Sequence, residues 1–357
     1  MKSILISVIF ILLSALTSFA NDSNRWTLRK YVEEYLAQSK SIQDQEKAIT
    51  DLEVELEAAK VRRESPLYLE EKQVELDSAR MKVREIVNSE LIQGVELYLA
   101  YVAAVRDVEA ARSSVEITEK EHQTTKARFD AKEEAEKELL NDYLSLLQAR
   151  KSLAGAEKRE ADSNNALVRE LDLDQDESFE TLIAWSETIP ENIVLEITAI
   201  RESSSDYYSA FHTKRLKESQ LETKRNSQVF TPDEIEAAED EFENARDQLE
   251  TVSWNLEDEK ITLEYELSTQ VADTEIFETN LRLNTIDLEL LQLQFSYGEV
   301  FETDLENARQ RVRDAETDLH QSRESLFQLH LRAADLNSGD CWEVLADWLD
   351  LSIAEVN

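Results

Sequence analysis

Glycine and proline are scarce in this chain, which has four glycines and three prolines among 357 residues. Both residues punctuate helices, so a long chain with so few of them can form few turns. Apolar residues recur at intervals of seven, the repeat of helices that pack side by side. We therefore predict an all-α fold built from long antiparallel coiled-coil helices.

Two stretches, SPLYLEE from Ser65 and TPDEIEA from Thr231, carry the same helix-start signal. In each, a hydroxyl residue suited to the N-cap precedes a proline suited to the first helical position. No helix end is indicated after Pro66 until about residue 130, or after Pro232 until about residue 297. Each long helix should therefore extend for about 97 Å.

The two helix starts lie 166 residues apart, and the same offset aligns residues elsewhere in the chain. The aligned pairs include Glu75 with Glu241, Arg80 with Arg246, Phe129 with Phe295, and Asn141 with Asn307. Heptad sequences resemble one another by chance, but chance does not explain the matched prolines or the similar endings FETLIAW and WEVLADW. We predict two tandem helical repeats, residues 21–190 and 191–357.

Both repeats divide in the same way into a first helix, a long helix, a turn and a third helix. The predicted first helices are 27–63 and 193–227, and the third helices run to about 171 and over 304–336. The turns are the charged stretch DAKEEAEK and the segment at Gly298. The segment 172–190 is expected to be an irregular linker, and a tail containing the stretch 342–348 ends the chain.

The apolar spacing predicts which helices need partners. One seven-residue seam in the second long helix consists of Ile235, Phe242, Leu249, Leu256 and Leu263. The last helix has two neighbouring seams, which are Leu305, Val312, Leu319 and Leu326, and Ala308, Ala315, Ser322 and Leu329. A helix with two seams can contact two partners, which permits sheets or tubes of helices. Antiparallel hairpins without a tube remain the plainer interpretation.

Residues 1–20 have the pattern of a secretory signal peptide: Lys2, then an apolar run, then small residues before Ala20. A membrane anchor is the rival interpretation, but the apolar run is short and no stop-transfer cluster follows. We expect cleavage after Ala20 and a mature chain outside the cytoplasm. The single cysteine, Cys341, precludes a disulfide within the chain and is expected to be a packed apolar residue.

The charge excludes several classes of function. The formal net charge of −38 argues against nucleic acid or an anionic membrane surface as the partner. The four histidines, His122, His212, His320 and His330, show no metal-ligand spacing, and no catalytic or phosphate-binding motif occurs. We predict no catalytic, cofactor or metal site, and no enzyme.

The stretch FSYGEVFETDLENARQRVRD resembles the tip signature of the TolC-type outer-membrane efflux duct family. The matching residues are Phe295, Gly298, Thr303, Asp304, Asn307, Ala308 and Arg309. Phe129 begins the same signature in the first repeat, where Lys132 occupies the glycine position and the Thr-Asp pair is missing. The resemblance extends over nearly the whole mature chain, including the duplication.

The resemblance implies three protomers that form a twelve-helix tube in the periplasm. The turns near 131–138 and 298–304 would meet a periplasmic adaptor and an inner-membrane pump, and the segments 172–193 and 337–357 would form an equatorial belt. In the family, two membrane strands precede each long helix. Here the intervals before Pro66 and Pro232 are too short to hold them. We therefore expect tight turns at Ser65 and Thr231, a duct that lacks the β-barrel, and no direct membrane insertion.

The function expected from the resemblance is efflux or type I secretion through the helical tube. The alternative is a periplasmic coiled-coil spacer, scaffold or chaperone that transports nothing. Acidic residues at the second turn, Glu299, Glu302, Asp304 and Glu306, could form a carboxylate ring at the opening, as could Glu133, Glu134, Glu136 and Glu138 at the first. The competing interpretation is that these acids favour the start of a helix, where the dipole attracts negative charge.

Overall fold

The computed structural model describes residues 25–174, 177–181, 183, 185, 194–337 and 339–349. The predicted signal peptide, residues 1–20, lies outside these residues, as do residues 186–193 and the last eight residues. The helices are α1 (Leu28–Gln38), α2 (Lys40–Arg62), α3 (Pro66–Asp130), α4 (Glu136–Glu170), α5 (Ile197–Ser203), α6 (Ser205–Asn226), α7 (Pro232–Ser296), α8 (Glu302–Leu336) and α9 (Cys341–Trp348). The prediction of an all-α fold is confirmed.

The two longest helices, α3 and α7, have 65 residues each and begin as the sequence indicates. The Ser65 hydroxyl accepts a hydrogen bond from the Tyr68 N–H, and Pro66 is the first helical residue. Thr231 caps α7 more fully, because its hydroxyl accepts from the Glu234 N–H while the Glu234 carboxylate accepts from the Thr231 N–H at 2.8 Å. This reciprocal pair is a capping box. The connections α2–α3 and α6–α7 are therefore tight turns, here called the upper turns.

The helices predicted at 27–63 and 193–227 are each broken in two, which corrects the prediction of single helices. The breaks fall at Ser39 and Ser204, both in extended conformation. Each serine hydroxyl accepts a hydrogen bond from the N–H three residues later, on Ile42 and Tyr207. Serine competes for backbone hydrogen bonds in this way, and each serine therefore starts a new helix.

The helices form a single layer four helices wide. In its upper half the neighbours are α2, α3, α6 and α7, in that order, and in its lower half they are α4, α3, α8 and α7. Helix α7 therefore lies at one edge along the whole layer, while α2 and α4 share the opposite edge. The lower half ends at the α4 and α8 starts, and we call this end the tip.

The main core lies at the waist of the layer. Its largest buried side chains include Tyr31, Tyr98, Phe327, Leu331 and Trp348. There, two residues of the N-terminal segment, β1 (Arg25–Trp26), pair in parallel with β2 (Ser178–Phe179). The Tyr98 hydroxyl contacts both segments, since it lies 2.7 Å from the carbonyl oxygen of Trp26 in β1 and 2.8 Å from that of Glu180, the residue after β2.

This strand pair corrects the expectation that the linker after α4 is wholly irregular. The tail likewise contains α9, whose N-cap Asp340 accepts a hydrogen bond from the Trp342 N–H at 2.8 Å. The described residues of both segments pack against the waist. Among the helices that are described, none combines the length and apolarity needed to cross a membrane.

Candidate functional site

The second tip turn ends α7 with a Schellman motif. The Gly298 N–H donates to the Phe295 carbonyl at 3.0 Å, and the Glu299 N–H donates to the Gln294 carbonyl at 3.0 Å. This motif needs one residue in the left-handed region, and Gly298 supplies it with φ 74°. A glycine at this position therefore follows from the backbone of the turn.

The first tip turn ends α3 with the same two bonds. The Lys132 N–H donates to the Phe129 carbonyl at 2.9 Å, and the Glu133 N–H donates to the Arg128 carbonyl at 2.8 Å. Lys132 has φ 62° and therefore adopts the conformation that Gly298 adopts in the other turn. A non-glycine residue is strained in this region, because its Cβ approaches the following carbonyl oxygen.

The residues of the predicted signature have different roles at the start of α8. The Asp304 carboxylate accepts a hydrogen bond from the Phe301 N–H at 3.0 Å, which stabilises the helix start. Ala308 is buried against the neighbouring helix, whereas Thr303 and Asn307 are exposed. The Arg309 guanidinium pairs with Glu306 at 2.8 Å.

These contacts divide the acidic residues of the second turn into two groups. Glu299, Glu302 and Asp304 are exposed and Glu306 is half-buried, and Asp304 and Glu306 also have partners within α8 or its N-cap. At the first turn Glu133, Glu136 and Glu138 are exposed and Glu134 is half-buried. Glu299 and Glu302 are thus the exposed acids of this turn that do not also stabilise the start of α8, a distinction that the sequence alone did not reveal.

Helix α7 has two apolar stripes on opposite sides. The inner stripe faces α6 and α8 and contains the buried residues Ala238, Ala245, Leu263, Leu267 and Thr274. The outer stripe is exposed and contains Trp254, Ile261, Tyr265, Ile276, Leu283, Ile286, Leu290, Leu293 and Tyr297. At 100° per residue the outer set lies on average about 150° from the inner set around the helix axis. The outer stripe therefore lies directly on the edge of the layer.

The opposite edge has an apolar stripe near the same end. Leu140, Leu144 and Leu147 of α4 are exposed, while Leu146 and Ala149 face α3. Sequence reasoning found the inner seam of α7 but missed its outer stripe and that of α4. The signal was present, because Ile276, Leu283 and Leu290 are spaced by seven. Spacing alone could not show which of the two stripes is covered by the chain itself.

The two repeats meet along α3 and α8. The Arg106 guanidinium donates to both oxygens of Glu324, at 2.6 and 2.7 Å, in a half-buried to buried setting. Nearer the tip, the Ser113 hydroxyl donates to the side-chain oxygen of Gln310 at 3.0 Å. The bonds between Arg106 and Glu324 are charge-assisted, and together with the neutral bond at Ser113 they fix the position of α8 along α3.

The histidines make packing contacts. His330 is buried, and its Nδ1 accepts a hydrogen bond from the Trp348 Nε1–H at 3.2 Å. Burial lowers the pKa of His330 to about 4. His122 contacts Tyr143, and His212 contacts Tyr208. Burial, with Arg106 and Arg323 nearby, lowers the pKa of His320.

In the described part of the chain no group of three or more His, Cys, Asp and Glu side chains could hold a metal ion. Cys341 is buried, and its thiol lies 3.4 Å from the Leu331 carbonyl oxygen. Burial raises the pKa of this thiol. A buried thiol of this kind is an unreactive packing residue.

No protein-family model matches the chain. No curated protein matches it either. Solved structures do match it. The outer-membrane channel OprN has a TM-score of 0.67 at 12% identity, with 88% of this chain and 90% of that chain covered. A membrane protein from Pseudomonas aeruginosa has a TM-score of 0.66 at 12% identity, with 89% and 94% covered.

The Campylobacter jejuni CmeC outer membrane channel has a TM-score of 0.62 at 12% identity, with 91% of this chain and 89% of that chain covered. The chain therefore has the fold of TolC-type outer-membrane channels, as the tip signature predicted. The matched structures are of outer-membrane channels and a membrane protein.

Proposed function

We propose that the chain is the protomer of a TolC-like periplasmic helical duct. The duct is a homotrimer and passes substrate in efflux or type I secretion-type export. The observation that carries this proposal is the pair of exposed apolar stripes on α7 and α4. A layer with one apolar stripe at each edge can bury both by joining edge to edge with copies of itself. Such head-to-tail contacts close into a ring when the rotation between copies closes.

The α4 stripe lies near the tip and the α7 stripe extends to the tip, which supports pairing within a ring. The α4 stripe, Leu140 to Leu147, lies within about two to three turns of the first tip turn. The α7 stripe reaches the second tip turn at Tyr297. In a ring whose axis runs parallel to the helices, equivalent points have equal heights, so the two stripes can meet. Twelve helices would then surround a central passage.

The test is the mass and shape of the mature chain in solution. Light scattering should give three times the mass of one chain, and negative-stain images should show a ring in end view. A compact particle of one or two chains without a central opening would contradict the proposal and favour the coiled-coil spacer. Export from cells, measured with and without the gene, then distinguishes a duct that transports substrate from one that does not.

The partners follow from the same proposal. The tip turns would contact a periplasmic adaptor and an inner-membrane pump, through the surface that includes Phe129, Lys132, Phe295 and Gly298. The location would be the periplasm or the outer-membrane-associated cell envelope. Equal helix lengths of 65 and 35 residues, each pair starting 166 residues apart, support an internal duplication as the origin of the protomer.

We also propose that Glu299 and Glu302 line the opening, since both are exposed beside the second tip turn. In a trimer they would form rings of carboxylates, which favour cations over anions. Glu299→Gln with Glu302→Gln should alter transport of charged substrates, whereas Glu70→Gln, an exposed change near the upper turns, should not. Equal transport by all three proteins would exclude the acidic opening.

A further inference from the structure

A groove lies between α6 and α7 in the upper half of the layer. Its volume is about 380 Å³, within the range of roughly 300–1,000 Å³ in which proteins hold small organic molecules. Tyr207 and Lys214 line it from α6, and the lining residues of α7 include Arg246, Leu249 and Trp254. The groove therefore brings two aromatic side chains and two cations together.

Two contacts fix the register of the helices that form the groove. Lys217 of α6 pairs with Glu241 of α7 at 2.8 Å. Arg201 of α5, the short helix below α6, pairs with Glu257 of α7 at 2.5 Å. The two contacts give the same register, in which α6 ascends toward the upper turn while α7 descends from it.

In this register the cations and the rings lie at different ends of the groove. Lys214 and Arg246 are within one helical turn of each other in height, and so are Tyr207 and Trp254. The centres of these two pairs lie about 11 Å apart along the helices. The groove therefore has a cationic upper end and an aromatic lower end.

Tyr207, on the α6 wall, is held in place by the chain itself. The Arg201 guanidinium, which pairs with Glu257, also donates to the Ser253 hydroxyl at 2.6 Å and lies 5.8 Å from the centre of the Tyr207 ring. The Tyr207 ring stacks on that of Phe211 with a centroid distance of 6.3 Å. The aromatic end is therefore positioned before any ligand binds, and the charge of Glu257 is already paired.

Trp254, on the α7 wall, provides a large aromatic surface. Its side chain is 65% exposed, and its indole N–H donates to Glu250, one turn earlier in α7, at 3.4 Å. Within the described part of the chain its ring contacts no other ring and no cation. Aromatic rings gain from offset or edge-on contacts with one another. The exposed indole can therefore accept the ring of a ligand.

The cations at the upper end lack strong partners. Lys214 is half-buried and has no ion-pair partner among the described residues. Arg246 pairs with its neighbour Asp247 at 3.3 Å, but both side chains are more than half exposed, and exposed pairs contribute little. A half-buried ammonium group without a counter-ion favours an anion. Glu250, which also lines the groove, opposes this preference.

We propose that this groove binds a small aromatic organic anion, with its acidic group between Lys214 and Arg246 and its ring against Trp254 and Tyr207. Charge-assisted hydrogen bonds hold the acidic group, and contacts between rings hold the aromatic part. The volume of about 380 Å³ is smaller than one turn of a helix, which is about 10 Å wide and 5.4 Å long, so a partner helix does not fit. The site lies within one chain and does not depend on the proposed ring.

Binding of two matched probes tests this site. Naphthalene-2-sulfonate is the anion, and naphthalene-2-sulfonamide is its neutral counterpart of similar shape. Calorimetric titration of the mature chain should show one sulfonate bound per chain, and the sulfonamide should bind about tenfold more weakly. Lys214→Gln should weaken binding of the sulfonate by about tenfold and leave that of the sulfonamide unchanged.

Three further variants separate the parts of the site. Trp254→Ala should weaken binding of both probes, because both have the ring. Glu250→Gln should tighten binding of the sulfonate by about threefold, because it removes a carboxylate from the groove. Arg215→Gln, an exposed change beside Lys214 that lies outside the groove, should leave both affinities unchanged. Circular dichroism checks that each variant keeps the native helices.

Several results would overturn this inference. They are equal affinity for the two probes, sulfonate binding that neither Lys214→Gln nor Trp254→Ala weakens, and no binding at millimolar concentrations. Light scattering on the same samples keeps the duct proposal separate. A chain that stays monomeric and binds the sulfonate as described would contradict the duct and leave this site standing.

Discussion

The two 65-residue helices α3 and α7 have equal lengths and similar starts, but their surroundings differ. Helix α3 packs against α2 and α4 on one side and against α6 and α8 on the other. Helix α7 packs against its own chain on one side only. Accordingly, both sides of α3 are covered within the chain, whereas the outer stripe of α7 is exposed.

A heptad pattern therefore indicates that a helix needs a partner helix, but it does not show whether that partner belongs to the same chain. Leu263 on the inner stripe is 2% exposed, while Leu283 on the outer stripe is 56% exposed. An exposed contiguous apolar stripe of this length is unusual for a monomer and marks an interaction surface. The inner stripe should therefore determine the stability of the protomer, and the outer stripe its assembly.

The largest expected effect is the loss of assembly when the outer stripe becomes charged. Leu283→Glu with Leu290→Glu places two charges in the contact near the tip, where they would be buried without partners. We expect monomers at concentrations at which the native chain forms rings, measured by light scattering. Circular dichroism should remain that of the native helices, because both side chains are solvated in the single chain.

Truncation of one leucine from each stripe separates the two roles. Leu263→Ala should lower the free energy of unfolding of the protomer by about 2–5 kcal/mol, because it leaves a cavity in the core. Leu283→Ala should change it by about 0.5 kcal/mol or less. Urea unfolding of monomeric protein, prepared in the Leu290→Glu background, measures both. Equal losses would mean that α7 has no distinct outer side.

The third helices of the two repeats, α4 and α8, also differ in how far the chain itself covers them. His330 of α8 is buried against Trp348, whereas Asn164, its counterpart 166 residues earlier in α4, is only half-buried. Helix α8 is covered at this point by α9, and α4 lies at an edge. At this level of the waist, the pH-dependent contribution to the free energy of unfolding should therefore come from His330 in the second repeat, because Asn164 does not titrate.

The sign of this dependence follows from the lowered pKa. His330 has a pKa of about 4 when folded and an ordinary value near 6.5 when unfolded. Between these values only the unfolded chain takes up the proton, so this residue lowers stability as the pH falls from about 6.5 to 4. The full effect is about 3 kcal/mol. His330→Gln keeps an acceptor for Trp348, and denaturant unfolding at pH 7 and pH 4.5 should show a smaller decrease for this variant.

Much of the fold could be predicted from the sequence, because its strongest signals are local. The helix starts at Pro66 and Pro232 depend on capping residues that lie within four positions. The breaks at Ser39 and Ser204 were missed, since a serine inside an apolar repeat does not reveal whether its hydroxyl turns to cap a new helix. The β1–β2 pair was missed because it joins segments about 150 residues apart.

The candidate site was only partly accessible to sequence reasoning. The glycine position of the tip turn was identified in both repeats, at Gly298 and Lys132. The partners of the acidic residues were not, because the pairing of Arg309 with Glu306 depends on rotamers that a sequence does not fix. The edge position of α7 could not be predicted either. It depends on which helices of the two repeats pack against each other, and these contacts join residues far apart in the sequence.

The smallest expected effect sharpens the comparison between the two tip turns. Both turns need a residue with positive φ, and only the second has glycine there. Lys132→Gly should relieve backbone strain in the first turn and raise the free energy of unfolding by about 1 kcal/mol. Gly298→Lys should lower it by a similar amount, because no neighbouring atom lies near the added Cβ and backbone strain is the main cost.

The double exchange, Lys132→Gly with Gly298→Lys, should leave stability nearly unchanged, because the two turns have the same backbone bonds. Thermal and urea unfolding of the four proteins measure these differences. If Lys132→Gly is neutral while Gly298→Lys is costly, the first turn tolerates its lysine through a contact that the second lacks. The strain at Lys132 would then be offset locally, and the two repeats would differ at the tip in more than one residue.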